Sequence, residues 1–80
     1  MSQQHLLDVN LYKTIASCFI NKRHTEIAEI FVIYVDGTRE TIWTYNPLRY
    51  DYVHTEFIGK TKIEAVFYCD RKAPRSISRI

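Results

Sequence analysis

Two thiols, Cys18 and Cys69, and three imidazoles, His5, His24 and His54, are the side chains with which this 80-residue chain could hold a metal or attack an electrophile. Their spacing argues against both. Metal sites need clustered ligands, and these five are scattered along the sequence. A nucleophile needs a base within reach, and Cys18 or Cys69 with a histidine and an aspartate is a list that any chain of this composition would allow. Asp51 and His54 would meet only on a helix, whereas Tyr50, Tyr52 and Val53 around them favour a strand. Glu26 and Glu29 read as solvated positions at the start of a strand, not as an acid–base pair. Gly59-Lys60-Thr61 has the closing residues of a phosphate loop, but five positions before its glycine stands His54, where that loop requires another glycine. The expectation is a chain that is not an enzyme, with no cofactor, no metal and no small-molecule substrate.

The most unusual stretch is Trp43 to His54 (WTYNPLRYDYVH), which gathers Trp43, Tyr45, Tyr50, Tyr52 and His54 around Arg49. Trp, Tyr and Arg are the residues that dominate protein interfaces, and aromatic faces beside a guanidinium also stack on unpaired bases. The plainer reading makes Trp43, Tyr45 and Tyr52 core residues with their polar tips reaching water. As contact residues for a protein partner the sequence offers Trp43, Tyr45, Arg49, Tyr50 and Tyr52, with Trp43 as the anchor.

The charge is lopsided. Eleven basic against nine acidic residues give +2, too little for strong overall attraction to nucleic acid or an anionic membrane. From residue 60 onward, however, Lys60, Lys62, Arg71, Lys72, Arg75 and Arg79 face only Glu64 and Asp70, a net +4 that leaves −2 on the first 59 residues. Those six cations are a candidate track for a phosphate backbone, weak and salt-sensitive, with no RNP, KH, zinc-finger or helix-turn-helix pattern beside them. Two cysteines permit at most one disulfide and nothing resembles a signal peptide, so a reducing, cytoplasmic setting is expected. The longest apolar runs are too short to span a bilayer.

The elements that must position these groups are partly legible. The β-rich runs IAEIFVIYV and TRETIWTY flank Asp36-Gly37, a hairpin signal, because Gly37 reaches positive φ without a Cβ clash and Asp36 tolerates that region. A two-residue loop sets Val35 opposite Thr38; one residue more reshuffles the faces. Counting outward from the two-residue loop, one face holds Ile27, Phe31, Ile33, Val35 and Ile42, and the other Ala28, Ile30, Val32, Tyr34, Trp43 and Tyr45. Both are apolar, so the ribbon asks for cover on two sides.

Thr61 and Glu64 have capping-box spacing, and Arg71, Lys72 and Pro74 suit a helix end. This predicts a helix over about 61–71, with Ile63, Val66 and Phe67 as its apolar stripe; the rival is a strand on the alternation of Ile63, Ala65, Phe67 and Cys69. Leu7, Leu11, Ile15 and Phe19 fit a helix, while Tyr12 to Ile20 is short and β-friendly; the strand reading is preferred, with a hairpin loop at Asn21 to Thr25. Asn46-Pro47 ends the third strand, Tyr50 to Phe57 reads as a further strand, and Ser76 to Ile80 as a short strand or loose tail.

Together these predict one α+β domain over 1–80 with a basic tail at 73–80: an antiparallel sheet of three to five strands and one C-terminal helix packed on it. A small all-β barrel is the alternative. One helix of about eleven residues roofs only one side of such a sheet, so a non-enzymatic protein that docks on a protein partner, or on a second copy as a homodimer, is the leading expectation. Chains of this size commonly act as inhibitors, adaptors or regulators of larger assemblies, including virus- or plasmid-borne ones. Weak single-strand DNA or RNA binding through 43–54 and the basic C-terminal part is the alternative function.

Overall fold

The computed structural model describes residues 8–72. Three antiparallel strands, β1 (Ile15–His24), β2 (Ile27–Tyr34) and β3 (Arg39–Tyr45), form a meander in the order β1-β2-β3, followed by a 3-10 turn (His54–Glu56) and one helix, α1 (Lys62–Lys72). The sheet is open, so the barrel alternative falls. The fold is α+β, and the tail at 73–80, with its terminal strand reading, lies outside the described residues.

β1 runs to His24, so Asn21 to Thr25 is mostly strand and not a loop; the reversal is made by Thr25 and Glu26 alone. The second hairpin departs from expectation in a compensated way. Its loop has three residues, Val35-Asp36-Gly37: the Tyr34 amide donates to the Thr38 carbonyl (2.8 Å) and the Gly37 amide to the Tyr34 carbonyl (2.9 Å). Gly37 holds φ +92°, while the Asp36 carboxylate accepts from the Thr38 amide at 3.0 Å and closes the turn from within. A longer loop alone would have swapped the faces of β3. An extra residue at Ile42, between the pairs Phe31↔Thr41 and Ile30↔Trp43, shifts the register back, so Trp43 and Tyr45 lie opposite Ile30 and Ala28 as counted for the two-residue loop. The residue that moves is Ile42, which packs against the core and not with Phe31 and Ile33.

The helix start is fully satisfied. The Thr61 amide donates to the Glu64 carboxylate (3.0 Å) and the Glu64 amide to the Thr61 hydroxyl (3.3 Å), which is the capping box. The next two orphan donors, the Lys62 and Ile63 amides, reach the Lys13 and Leu11 carbonyls, while the Ala65 amide takes the Thr61 carbonyl. Thr61→Ala removes one cap bond and should lower stability by about 1 kcal/mol, read as a drop in urea midpoint without a change in slope. An unchanged midpoint would show that the neighbouring backbone bonds hold this end alone.

α1 is turned by roughly half a revolution from the expected stripe. Ala65 and Cys69 face the core, and Phe67 is 55% exposed. Small side chains on the inner face let the helix approach closely, and the space a helical phenylalanine would have filled is taken by Tyr52 and Phe57 from the connecting segment. That segment is no strand: residues 50–53 have no regular structure before the 3-10 turn, with only Val53 recorded as extended. The core holds Ile15, Cys18, Ala28, Ile30, Val32, Tyr34, Tyr45, Tyr52, Phe57, Ala65 and Cys69, all on the helix side of the sheet.

Candidate functional site

The strand register assigns each side chain of the sheet to a face. Cys18, Ile20, Ala28, Ile30, Val32, Tyr34, Trp43 and Tyr45 look toward α1; Ser17, Phe19, Asn21, Ile27, Glu29, Phe31, Ile33, Arg39, Thr41 and Thr44 look away. Phe19 and Phe31 are directly paired across β1 and β2, their ring centroids 6.5 Å apart. Phe19 is 53% exposed, Ile27 is also exposed, and Phe31 and Ile33 are half-buried. The outer face thus carries an apolar patch of the phenylalanine pair and Ile33, bounded on one side by Arg39 and on the other by the polar row Asn21, Glu29 and Thr44, where Glu29 pairs with Arg23 (3.0 Å) and separates Ile27 from the patch. Among the described residues no second layer covers it.

The five expected contact residues do not share a surface. Tyr45 is 8% and Tyr52 4% exposed, their rings edge-to-face at 4.7 Å, and the Tyr52 hydroxyl donates to the Cys69 carbonyl at 3.1 Å. Burial pushes the Tyr52 phenol up to about 12. Trp43 and Tyr50 pack against the core with partial exposure, and only Arg49 is fully outside, in the turn that the Asn46 side chain closes by accepting from the Leu48 amide (2.9 Å). Tyr45 and Tyr52 are therefore core residues. The cause is the register: once Ile42 is accommodated, positions 43 and 45 point under the helix.

The described cations are likewise divided. Lys62 is held by Asp8 (2.7 Å) and Glu40 (3.0 Å), and Glu40 also accepts from the Tyr34 hydroxyl. Lys60 and Lys72 lie over the Tyr68 ring at 5.4 and 5.7 Å, with Lys72 also over Tyr52 at 5.1 Å. Arg71 is exposed, and Arg75 and Arg79 lie outside the described residues. Lys62 thus serves an internal clasp between the N-terminal segment, β3 and α1, apart from the others.

No family model, curated protein or solved structure matches this chain.

Chemistry on the thiols is disfavoured where they sit. Both cysteines are buried and free, and burial pushes Cys18 up to about 11 and Cys69 to about 12, so neither offers a thiolate at neutral pH. Among the described residues no group of three or more His, Cys, Asp or Glu side chains is placed for a metal ion, and no helix is long and apolar enough to cross a membrane. The residues that sequence reasoning missed are Phe19 and Phe31. Phe31 stands on one of the hairpin's two apolar faces in the sequence, but pairing it with Phe19 requires the β1 register, which no turn signal specifies.

Proposed function

We propose that this protein is a small non-enzymatic binding module whose docking surface is the outer face of the sheet and whose occupant is a protein with an apolar strip of its own. The observation that supports it is the Phe19–Phe31 pair, extended by Ile33 on a face that α1 does not reach. An exposed cross-strand aromatic pair with charged groups at its edge has the composition of an interface centre and rim. Neither ring belongs to the buried core on the other side of the sheet.

The test is the double substitution Phe19→Ser and Phe31→Ser. It should lower stability by no more than about 2 kcal/mol, since Phe19 is exposed, Phe31 is half-buried and the cross-strand pair is lost, and the variant should stay folded by circular dichroism. Capture of a defined protein from nuclease-treated lysate should fall by at least about 30-fold in affinity, a hot-spot loss. Arg49→Ala serves as a control and should change capture little. Binding that survives the double variant sinks this surface. A complex lost on nuclease treatment, or one that weakens steeply between low and physiological salt, would instead support the nucleic-acid alternative.

A further inference from the structure

The two edges of the sheet are not equivalent. β3 is interrupted mid-strand by its bulge at Ile42, a device that spoils an edge for pairing, whereas β1 keeps its irregularities to its two ends, between Ile15 and Ser17 and between Lys22 and His24, and runs regularly from Ser17 to Lys22. The hydrogen-bond phase of β1 follows from the contacts at its start. The Val35 amide donates to the Thr14 carbonyl (2.9 Å) while the Tyr34 amide points to β3, so Ile33, Phe31 and Glu29 turn their backbone groups toward β1. Their partners Ser17, Phe19 and Asn21 face β2, and Cys18, Ile20 and Lys22 present their amides and carbonyls outward. At Ile15 the outward groups are taken by Gly59 and Lys60 (2.9 and 2.8 Å); at Cys18, Ile20 and Lys22 no described residue reaches them. A groove lined by Ser17, Cys18, Phe19, Ile20, His54 and Ile58 runs beside this edge.

We propose that a second copy of this chain pairs with β1 along that edge, antiparallel about Ile20, joining two three-stranded sheets into one. The occupant follows from self-complementarity. A twofold through Ile20 sets Ile20 opposite its equivalent and Cys18 opposite Lys22 of the other copy, all as hydrogen-bonded pairs, so every outward group from 18 to 22 is satisfied at once. Charge selects the direction. Antiparallel pairing sets the two Lys22 residues about 13 Å apart along the strands, beyond the screening length at physiological salt, whereas parallel pairing sets them about 5 Å apart. On the outer face each Phe19 stands opposite Asn21 of the other copy, and the two Phe19 rings become diagonal neighbours about 7–8 Å apart. The pairing uses an edge and the proposed docking surface uses a face, so either can fail without the other.

Lys22→Pro tests it. The Lys22 side chain is exposed and its amide points outward, so proline removes a donor that β2 does not use; Lys22→Ala, which keeps the amide, is the control for the lost charge. Sedimentation of the parent over a concentration series should show a monomer–dimer equilibrium, and Lys22→Pro should weaken it by at least about tenfold through two hydrogen bonds lost per dimer. Amide exchange supplies the second reading: protection at Cys18, Ile20 and Lys22 should rise with parent concentration while Thr41 and Thr44 stay unchanged. A parent that remains monomeric at millimolar concentration overturns the proposal. So does a dimer that persists in Lys22→Pro but is lost in the Phe19/Phe31 double variant, which would place the second copy on the face.

Discussion

Phe57→Ala should lower stability by about 3–5 kcal/mol, while Phe67→Ala should stay within about 0.5 kcal/mol of the parent. The two residues are chemically identical and ten positions apart, so the contrast isolates environment. Phe57 is fully enclosed, its ring 5.5 Å from Tyr68 and 6.3 Å from Tyr52; Phe67 stands on the solvent side of α1. Truncating Phe57 forfeits its transfer energy and leaves a cavity walled by aromatic rings that have little freedom to collapse into it. In a domain of this size the loss is a large share of the total, which is about 4–12 kcal/mol. Urea midpoints by circular dichroism decide it, with Phe57→Leu as a milder companion if the alanine variant is unfolded. Equal losses at the two sites would mean that α1 is docked on the other side.

The second large effect is a stability plateau that ends on the acid side near pH 4. Hydrogen bonding from Lys62 holds Asp8 below the usual carboxylate range, and Lys13 and Thr38 do the same more strongly for Asp36. A carboxylate whose folded pKa lies below its unfolded value of about 4 contributes fully above that value, and the contribution is lost as pH falls through the folded pKa. Both carboxylates are partly screened by solvent, Asp36 more than Asp8, so each adds modestly to the acid limb, Asp8 through its clasp with Lys62 beside Glu40. On the alkaline side the sign reverses. Cys18 and Cys69 have folded pKa values raised by burial, so their neutral forms support the fold below about pH 9 and that support fades as pH climbs toward 11–12. Urea titrations at pH 3, 7 and 10 should show the two falling limbs. Lys62→Met should make the acid limb shallower, because Asp8 then titrates near its ordinary range; an acid limb of unchanged steepness would remove the clasp from the account.

What was readable in advance, and what was not, divides by the range of the interactions. The capping box at Thr61 and Glu64 and the positive φ of Gly37 are decided within four residues, and both were visible. The faces of β2 followed from strict alternation. The loop at Asp36-Gly37 was one residue longer than the simplest count, and the extra residue at Ile42 hid the error for Trp43 and Tyr45 while displacing Ile42 itself. Helix phase was misread because Ala65 and Cys69, the residues that face inward, are small; apolar bulk favoured Phe67, and only the presence of Tyr52 and Phe57 in the same space shows why bulk lost. The candidate surface was half visible for a related reason. A sheet with two apolar faces could be deduced from one hairpin, but the residue that completes the outer strip, Phe19, joins it only through long-range pairing with Phe31.

The two enclosed thiols have a practical corollary. Cys18 belongs to the edge strand and Cys69 to the last turns of the helix, and neither reacts until its own element lifts away from the rest. Single-thiol forms, Cys69→Ser and Cys18→Ser, would turn an alkylating reagent into a stopwatch for each element separately. The untagged chain carries its own pair of gauges for which part of it comes loose first.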